Sequence, residues 1–426
     1  MGSLGPSGPR RNASAEAMVS DVAARLEWIE GESVTFPSGF KAGAVYTGLK
    51  TPGPGKLDVG VILSETPCAA AGVFTTNKVA AAPVVVSRER IKSGQARGIV
   101  FNAGNANAAT GEDGMQKARR MTEIAGAKLG VAPEELLVAS TGVIGVPLPI
   151  EKYQSGIEQL EIRADGGHDV AIGIMTTDTR PKEAAVQVTG GGWGFRMGAV
   201  AKGAGMIHPN MATMFCFITT DAAVDPGFLD RALRRSVDLS FNMISIDGDM
   251  STNDTALVLA NGQSGMPLIK DGTPGADAFE RALTEISIRM ARAIAGDGEG
   301  ATKLIEVAVE GAGSEHDARL AARAVAASNL LKAAVYGCDP NWGRIACAAG
   351  YSGANLEESR LDITIAGFPV LRGGRVLQFD ARAASNALKA AEVRIEVNLN
   401  LGDGRATAWG CDLTEEYVVV NSKYTT

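Results

Sequence analysis

The chain has 426 residues, 45% of them hydrophobic and 21% charged, with a formal net charge of -7. That length and apolar content suffice for two or three domain-sized units with buried cores, and they exclude global disorder. The charges are spread without long like-sign runs, so the basic stripe of a nucleic-acid binder is missing and small-molecule chemistry is the better expectation.

Residues 1–17, rich in Gly, Ser, Pro and Arg, read as a disordered tail, with Arg10 and Arg11 leaving an organelle transit peptide as the alternative. Met18, Val22, Leu26 and Ile29 repeat at helical spacing and predict one short amphipathic helix. Short apolar runs separated by turn residues, 57–63, 70–75, 83–86 and 98–101, predict the strands of a sheet. Met115, Ala118, Met121, Ala125 and Leu129 share one helical face, and Gly130 supplies its stop. Further helices are expected over 150–162, 228–239, 278–295 and 317–336, with strands between them at 185–188, 214–219, 256–259 and 304–309. This alternation is mixed α/β, with helices layered on sheets. Strands at 361–365, 393–399 and 406–413 around a helix at 381–391 predict a smaller C-terminal α+β domain, which places the main domain at 18–300 and the smaller one at 301–426.

The five cysteines include no CxxC pair, and no two of the three histidines lie at metal-ligand spacing. Neither a disulfide framework nor a metal centre is expected. No apolar run approaches the roughly 18 residues of a membrane span, and no signal-peptide segment follows the start, so a soluble cytoplasmic protein is expected, or an organellar one if the tail is a transit peptide.

The segment richest in chemistry runs from Lys202-Gly-Ala-Gly-Met-Ile-His208 through Pro209-Asn210-Met211-Ala212-Thr213 to Met214. A glycine-rich approach and a Pro-Asn turn deliver Thr213 to the entrance of an apolar strand. A turn that sets a hydroxyl against its own preceding carbonyl is the geometry of an N-to-O acyl shift, after which water cleaves the ester. Cleavage between Ala212 and Thr213 would leave Thr213 with a hydroxyl nucleophile and an α-amine of ordinary pKa about 7.7 to 8.0, and such an amine can serve as general base without histidine. Taken from the residues alone, a threonine before an apolar strand is ordinary.

This segment resembles the self-cleavage motif of the ArgJ family, the ornithine acetyltransferases or glutamate N-acetyltransferases of arginine biosynthesis. Asn102-Ala-Gly-Asn-Ala-Asn107, Ser140-Thr-Gly142, Met175-Thr-Thr-Asp-Thr179, Asp297-Gly-Glu299 and Asp339-Pro-Asn-Trp-Gly-Arg344 match in order, and only the residues up to about Asp21 lie outside. The resemblance implies a layered αββα sandwich of the N-terminal-nucleophile type, chains 1–212 and 213–426 after cleavage, and two copies of each in a heterotetramer. It assigns the nucleophile to Thr213, the oxyanion hole to Thr141 and Gly142, and substrate binding to Thr176, Lys202, Thr213, Glu299, Asn421 and Thr426. Asp178 is expected to pin its loop, and Thr177 is the alternative to Thr176.

The implied reaction moves acetyl from N-acetylornithine to glutamate through acetyl-Thr213 with no cofactor, and acetyl-CoA is a further donor in bifunctional members. Without the resemblance, Thr141-Gly142 reads as a turn, Glu299 as a solvated acid and the chain end as frayed. Asn105, Asn107, Asp339, Asn341 and Arg344 read equally as turn caps or substrate contacts. Asp247, Asp249 and Asp254 suggest a calcium loop but lack its closing glutamate. The competing functions are a self-cleaving aminopeptidase or amidohydrolase, with water as acceptor, and an amino-acid-binding protein without turnover.

Overall fold

The computed structural model describes residues 24–208 and 214–423. Two runs without polar alternation, Phe215–Thr220 and Thr255–Ala260, lie side by side in parallel and are buried at every position. Such burial requires cover on both faces. Cys216, Ile218, Ala256 and Val258 face one core with the helices Pro226–Leu239 and Ala276–Ala295, while Phe215, Phe217, Leu257 and Leu259 face another with the helix Gly167–Ile174.

These two strands sit at the centre of the first sheet. Among the described residues its order is Arg25–Trp28, Lys182–Thr189, Gly194–Lys202, Phe215–Thr220, Thr255–Ala260, Val59–Phe74, Gln95–Asn105 and Leu136–Val143, with Phe40–Val45 added on Val59–Phe74. A second sheet runs Arg375–Val376, Phe368–Arg372, Asp362–Ile365, Glu392–Asn398, Leu304–Ala312, Gly404–Cys411 and Ile244–Ser245. Its edge strand therefore comes from the middle of the chain. Strand Glu392–Asn398 alternates exposed and buried positions, as expected for a sheet covered on one face only. Helix Ala276–Ala295 packs on Lys182–Thr189 and Gly194–Lys202 and also reaches Gly404–Cys411, which ties the sheets together. The mixed α/β class matches the expectation from sequence.

Several local expectations are corrected. Residues 25–28 form a strand paired with Lys182–Thr189, with Trp28 opposite Val186; the spacing of Leu26 and Ile29 suits a helix, but a sheet edge offers the backbone a partner. Met18 and Val22 lie outside the described residues. The run 83–86 belongs to helix Ala82–Arg90, where Pro83 fits the first turn and burial of Val84 and Val86 outweighs the modest helix cost of β-branching. The runs 57–63 and 70–75 merge into one strand, Val59–Phe74, whose pairing with Gln95–Asn105 shifts register between Leu63 and Cys68. The helix expected over 317–336 breaks into Glu315–Ala327 and Asn329–Tyr336, because Ser328 turns extended and its hydroxyl accepts from the Leu331 N–H.

Candidate active site

Six of the residues singled out from sequence, Thr141, Gly142, Thr176, Lys202, Glu299 and Asn421, line one cavity of about 240 Å³, and Thr177 lines it too. Strand ends deliver three of them, and segments that follow helices deliver Thr176, Thr177 and Glu299. Thr141 and Gly142 end strand Leu136–Val143, Lys202 ends Gly194–Lys202, the two threonines follow helix Gly167–Ile174, and Glu299 follows helix Ala276–Ala295. Asn421 and Tyr417 stand one turn apart on helix Glu415–Lys423 and face the same cavity. Ala212, Thr213 and Thr426 lie outside the described residues. A larger groove of about 1370 Å³ between helices Ala82–Arg90 and Pro226–Leu239 is lined by none of the six.

Thr141 and Gly142 lie in a strand and not in the turn that the residues alone suggest, and the asparagine-rich segment beside them holds that strand end in place. Strands Gln95–Asn105 and Leu136–Val143 run parallel, with Asn102 opposite Ser140. The Ser140 hydroxyl donates to Asn102 Oδ1 at 2.5 Å, and Asn102 Nδ2 donates to the Asn105 carbonyl at 2.9 Å. Gly142 sits at φ 132°, and a Cβ there would lie 2.3 Å from the Gly104 carbonyl carbon, so only glycine fits. Asn341 acts as a cap, accepting from the Arg344 N–H, whereas Asn107 donates to the Gly114 carbonyl and accepts from the Thr110 hydroxyl beside the start of helix Gly111–Leu129.

Lys202 Nζ lies 3.3 Å from Thr141 Oγ1. An ammonium can only donate, so the hydroxyl oxygen is the acceptor and its own proton is free to point elsewhere. Burial lowers the Lys202 pKa, against the opposing pull of Asp178, Asp254 and Glu299. Asp178 accepts from the Gly203 N–H at 2.7 Å and the Thr176 N–H at 2.9 Å. Lys182 bridges Asp178 at 2.6 Å and Asp297 at 2.5 Å, and Asp297 in turn holds the Thr179 amide and hydroxyl. Lys182 thus ties the loop that carries Thr176 to the one that carries Glu299, and Asp178 joins both to the end of the strand that carries Lys202. Burial alone would raise the Asp178 pKa, but Lys182, Lys202 and its hydrogen bonds overcome this and hold it at about 2.

Glu299 folds onto the backbone of Ala204 and Gly205. Its N–H donates to the Ala204 carbonyl at 2.8 Å, and a Cβ on Gly205 would come within 2.5 Å of its carboxyl carbon. Asn421 Nδ2 donates to Glu299 Oε2 at 2.7 Å. Lys202 and Glu299 therefore give the cavity a cation and an anion at set places. Asp247 grips the Met206 and Ile207 amides, and Tyr417, its pKa raised by burial and by the charges of Asp247, Asp249 and Glu299, closes that side. Among the described residues, no group of three or more His, Cys, Asp or Glu could hold a metal ion.

Reasoning from sequence passed over Ser251, Asn253 and Tyr417, which also line the cavity. For Asn253 the available signal was a polar Asn-Asp pair directly before the fully buried strand Thr255–Ala260. Tyr417 carried no comparable signal.

The family model for the ArgJ family matches residues 41–426. The arginine biosynthesis bifunctional protein ArgJ of Symbiobacterium thermophilum is 52% identical over 403 residues, covering 94% of this chain and 100% of that protein. The protein of the same name from Dehalococcoides mccartyi is 50% identical over 394 residues, covering 92% and 97%. A crystal structure of arginine biosynthesis bifunctional protein ArgJ from Bacillus halodurans is 43% identical, covers 49% of this chain and 98% of its own, and superposes with a TM-score of 0.48. By the family match over most of its length and the identity to these full-length relatives, the chain belongs to the ArgJ family.

Proposed function

We propose that the protein is a self-cleaving acetyltransferase of arginine biosynthesis, moving acetyl from N-acetylornithine to glutamate through an ester on Thr213. The observation that carries this reading is the Lys202 to Thr141 hydrogen bond, which leaves the Thr141 proton available to an oxyanion beside the Gly142 amide. Family membership supports the reaction class.

In the first half-reaction the Thr213 hydroxyl attacks the acetyl carbonyl and its proton passes to the Thr213 α-amine. The oxyanion that forms is received by the Thr141 hydroxyl and the Gly142 N–H. The carbon–nitrogen bond then breaks, the departing ornithine amine takes the proton, and acetyl remains on Thr213. In the second half the glutamate amine attacks that ester and gives a proton to the Thr213 α-amine, which passes it to the Thr213 oxygen as the acetyl–oxygen bond breaks and N-acetylglutamate leaves. Lys202, Glu299, Thr176 and Asn421 supply the charges and hydrogen bonds that an amino-acid substrate needs, with Thr426 as the remaining contact. The acyl carrier is the protein itself, so no cofactor takes part, and acetyl-CoA is a second donor to the same ester.

Self-cleavage between Ala212 and Thr213 precedes turnover and yields chains 1–212 and 213–426, two of each in a heterotetramer in the cytoplasm. Denaturing mass measurement should show both chains, and Thr213→Ala should leave one uncut, inactive chain. Rapid-quench mass spectrometry with N-acetylornithine and no glutamate should find one acetyl group on the peptide that begins at Thr213, discharged to N-acetylglutamate when glutamate is added. Transfer that needs both substrates together and leaves no acetylated Thr213 refutes the covalent route. Steady acetate release without glutamate would point to a hydrolase.

A further inference from the structure

Two consecutive residues, Asn253 and Asp254, hold the segment that leads to Thr141 and the residue that follows Thr213 in the sequence. Asn253 gives its amide protons to the Ser140 carbonyl at 2.6 Å and the Ala106 carbonyl at 2.7 Å, and Ser140 directly precedes Thr141 and Gly142. Asp254, fully buried, takes the Met214 N–H on Oδ1 at 3.1 Å, while the Thr255 N–H closes on the Met214 carbonyl at 3.1 Å. In the sequence, Met214 directly follows Thr213. The Cα atoms of residues joined by a trans peptide are about 3.8 Å apart, so movement at one end of this pair is passed to the other.

The second oxygen of Asp254 is buried and has no hydrogen-bond partner among the described residues. The neighbouring Thr75 hydroxyl donates instead to the Ser251 carbonyl at 2.7 Å. The charged group that acts on Asp254 is Lys202, from strand Gly194–Lys202; Met214 and Thr75 present uncharged groups. Burial pushes the Asp254 carboxyl well above the usual carboxylate range. Holding Met214 thus uses one oxygen of the carboxyl.

We propose that Asn253 and Asp254 are positioning residues, a two-ended clamp that sets the distance between the strand end bearing Thr141 and Gly142 and Met214, the residue that follows the proposed nucleophile in the sequence. This inference rests on the acyl-transfer reading above. Both would act through the backbone groups they hold, so their effect should fall more on the chemical step than on substrate affinity.

The test uses the full-length chain. Asn253→Ala and Asp254→Ala should each lower kcat by about 10- to 100-fold, the scale of a small misplacement of reacting groups, with KM for N-acetylornithine within about threefold. The double variant should fall no further than the slower single one, because releasing either end frees the same distance. Asp254→Asn keeps an acceptor for the Met214 N–H, so it should restore most of the rate lost in Asp254→Ala. Two residues with unrelated packing roles would give losses that multiply, and that outcome overturns the clamp. So does wild-type kcat in both alanine variants, or an Asp254→Asn rate as low as that of Asp254→Ala. If Asn253→Ala is insoluble, the comparison of Asp254→Ala with Asp254→Asn decides alone. A wild-type enzyme that never acetylates Thr213 would instead fail the acyl-transfer reading, and that measurement comes first.

Discussion

Lys202 donates to the Thr141 hydroxyl across 3.3 Å, with the two residues only 2% and 3% exposed. A buried cation fixed on the oxygen of a hydroxyl orients the remaining O–H bond before any substrate arrives, which is the preorganisation that oxyanion stabilisation requires. Thr141→Val keeps the shape and removes the proton. It should lower kcat by about 10² to 10³ and leave KM nearly unchanged, whereas Thr141→Ser should retain most of the rate. Initial-rate kinetics on the cleaved enzyme checks this, and equal rates for Val and Ser would show that the hydroxyl is only structural.

Lys182 is placed to stabilise the site by holding two buried acids at once. Removing one partner of a buried ionic group typically costs about 3 to 5 kcal/mol, because the remaining charges stay desolvated. Lys182→Met should therefore lose stability on that scale in urea unfolding, and adding Asp178→Asn and Asp297→Asn should recover much of it. A stable single variant would mean that water reaches the acids.

The pH dependence of stability should carry two opposite signatures. The Asp178 pKa is depressed from 3.8 to about 2 in the folded chain, so its contribution is present above pH about 4 and is lost as pH falls toward 2. The Asp254 pKa is raised, so the fold favours its protonated form and loses stability as pH climbs from about 4 through that raised value. Urea titrations should show Asp254→Asn gaining on wild type between pH 4 and 7, with the two converging near pH 4. Asp178→Asn should flatten the wild-type loss between pH 4 and 2.

Two glycines of the cavity should respond differently to alanine. At Gly205 the added Cβ meets the movable end of Glu299, so Gly205→Ala should displace that carboxylate and raise the donor KM by about tenfold, the scale of one hydrogen bond to a charge, with little change in melting. At Gly142 the Cβ meets the backbone of Gly104 and the residue sits at φ 132°, so Gly142→Ala should lose both activity and stability. Melting curves beside steady-state kinetics separate the two cases, and matching behaviour would contradict the packing described.

The sequence by itself determined the elements whose burial is written in a local period. Helices Gly111–Leu129 and Ala276–Ala295 repeat their apolar residues on one face, and Gly130 ends the first with φ 68°. Sequence motifs also named six residues that line a single cavity. Tertiary structure decided which partner each element meets. It made residues 25–28 a strand, joined 57–63 to 70–75, and drew Ile244–Ser245 into the second sheet. It also brought Asn253 to Ser140 across 113 positions and Asn421 to Glu299 across 122. The physical reason is that local periodicity reports how a segment is buried, whereas a hydrogen bond between distant residues depends on the packing of every layer between them.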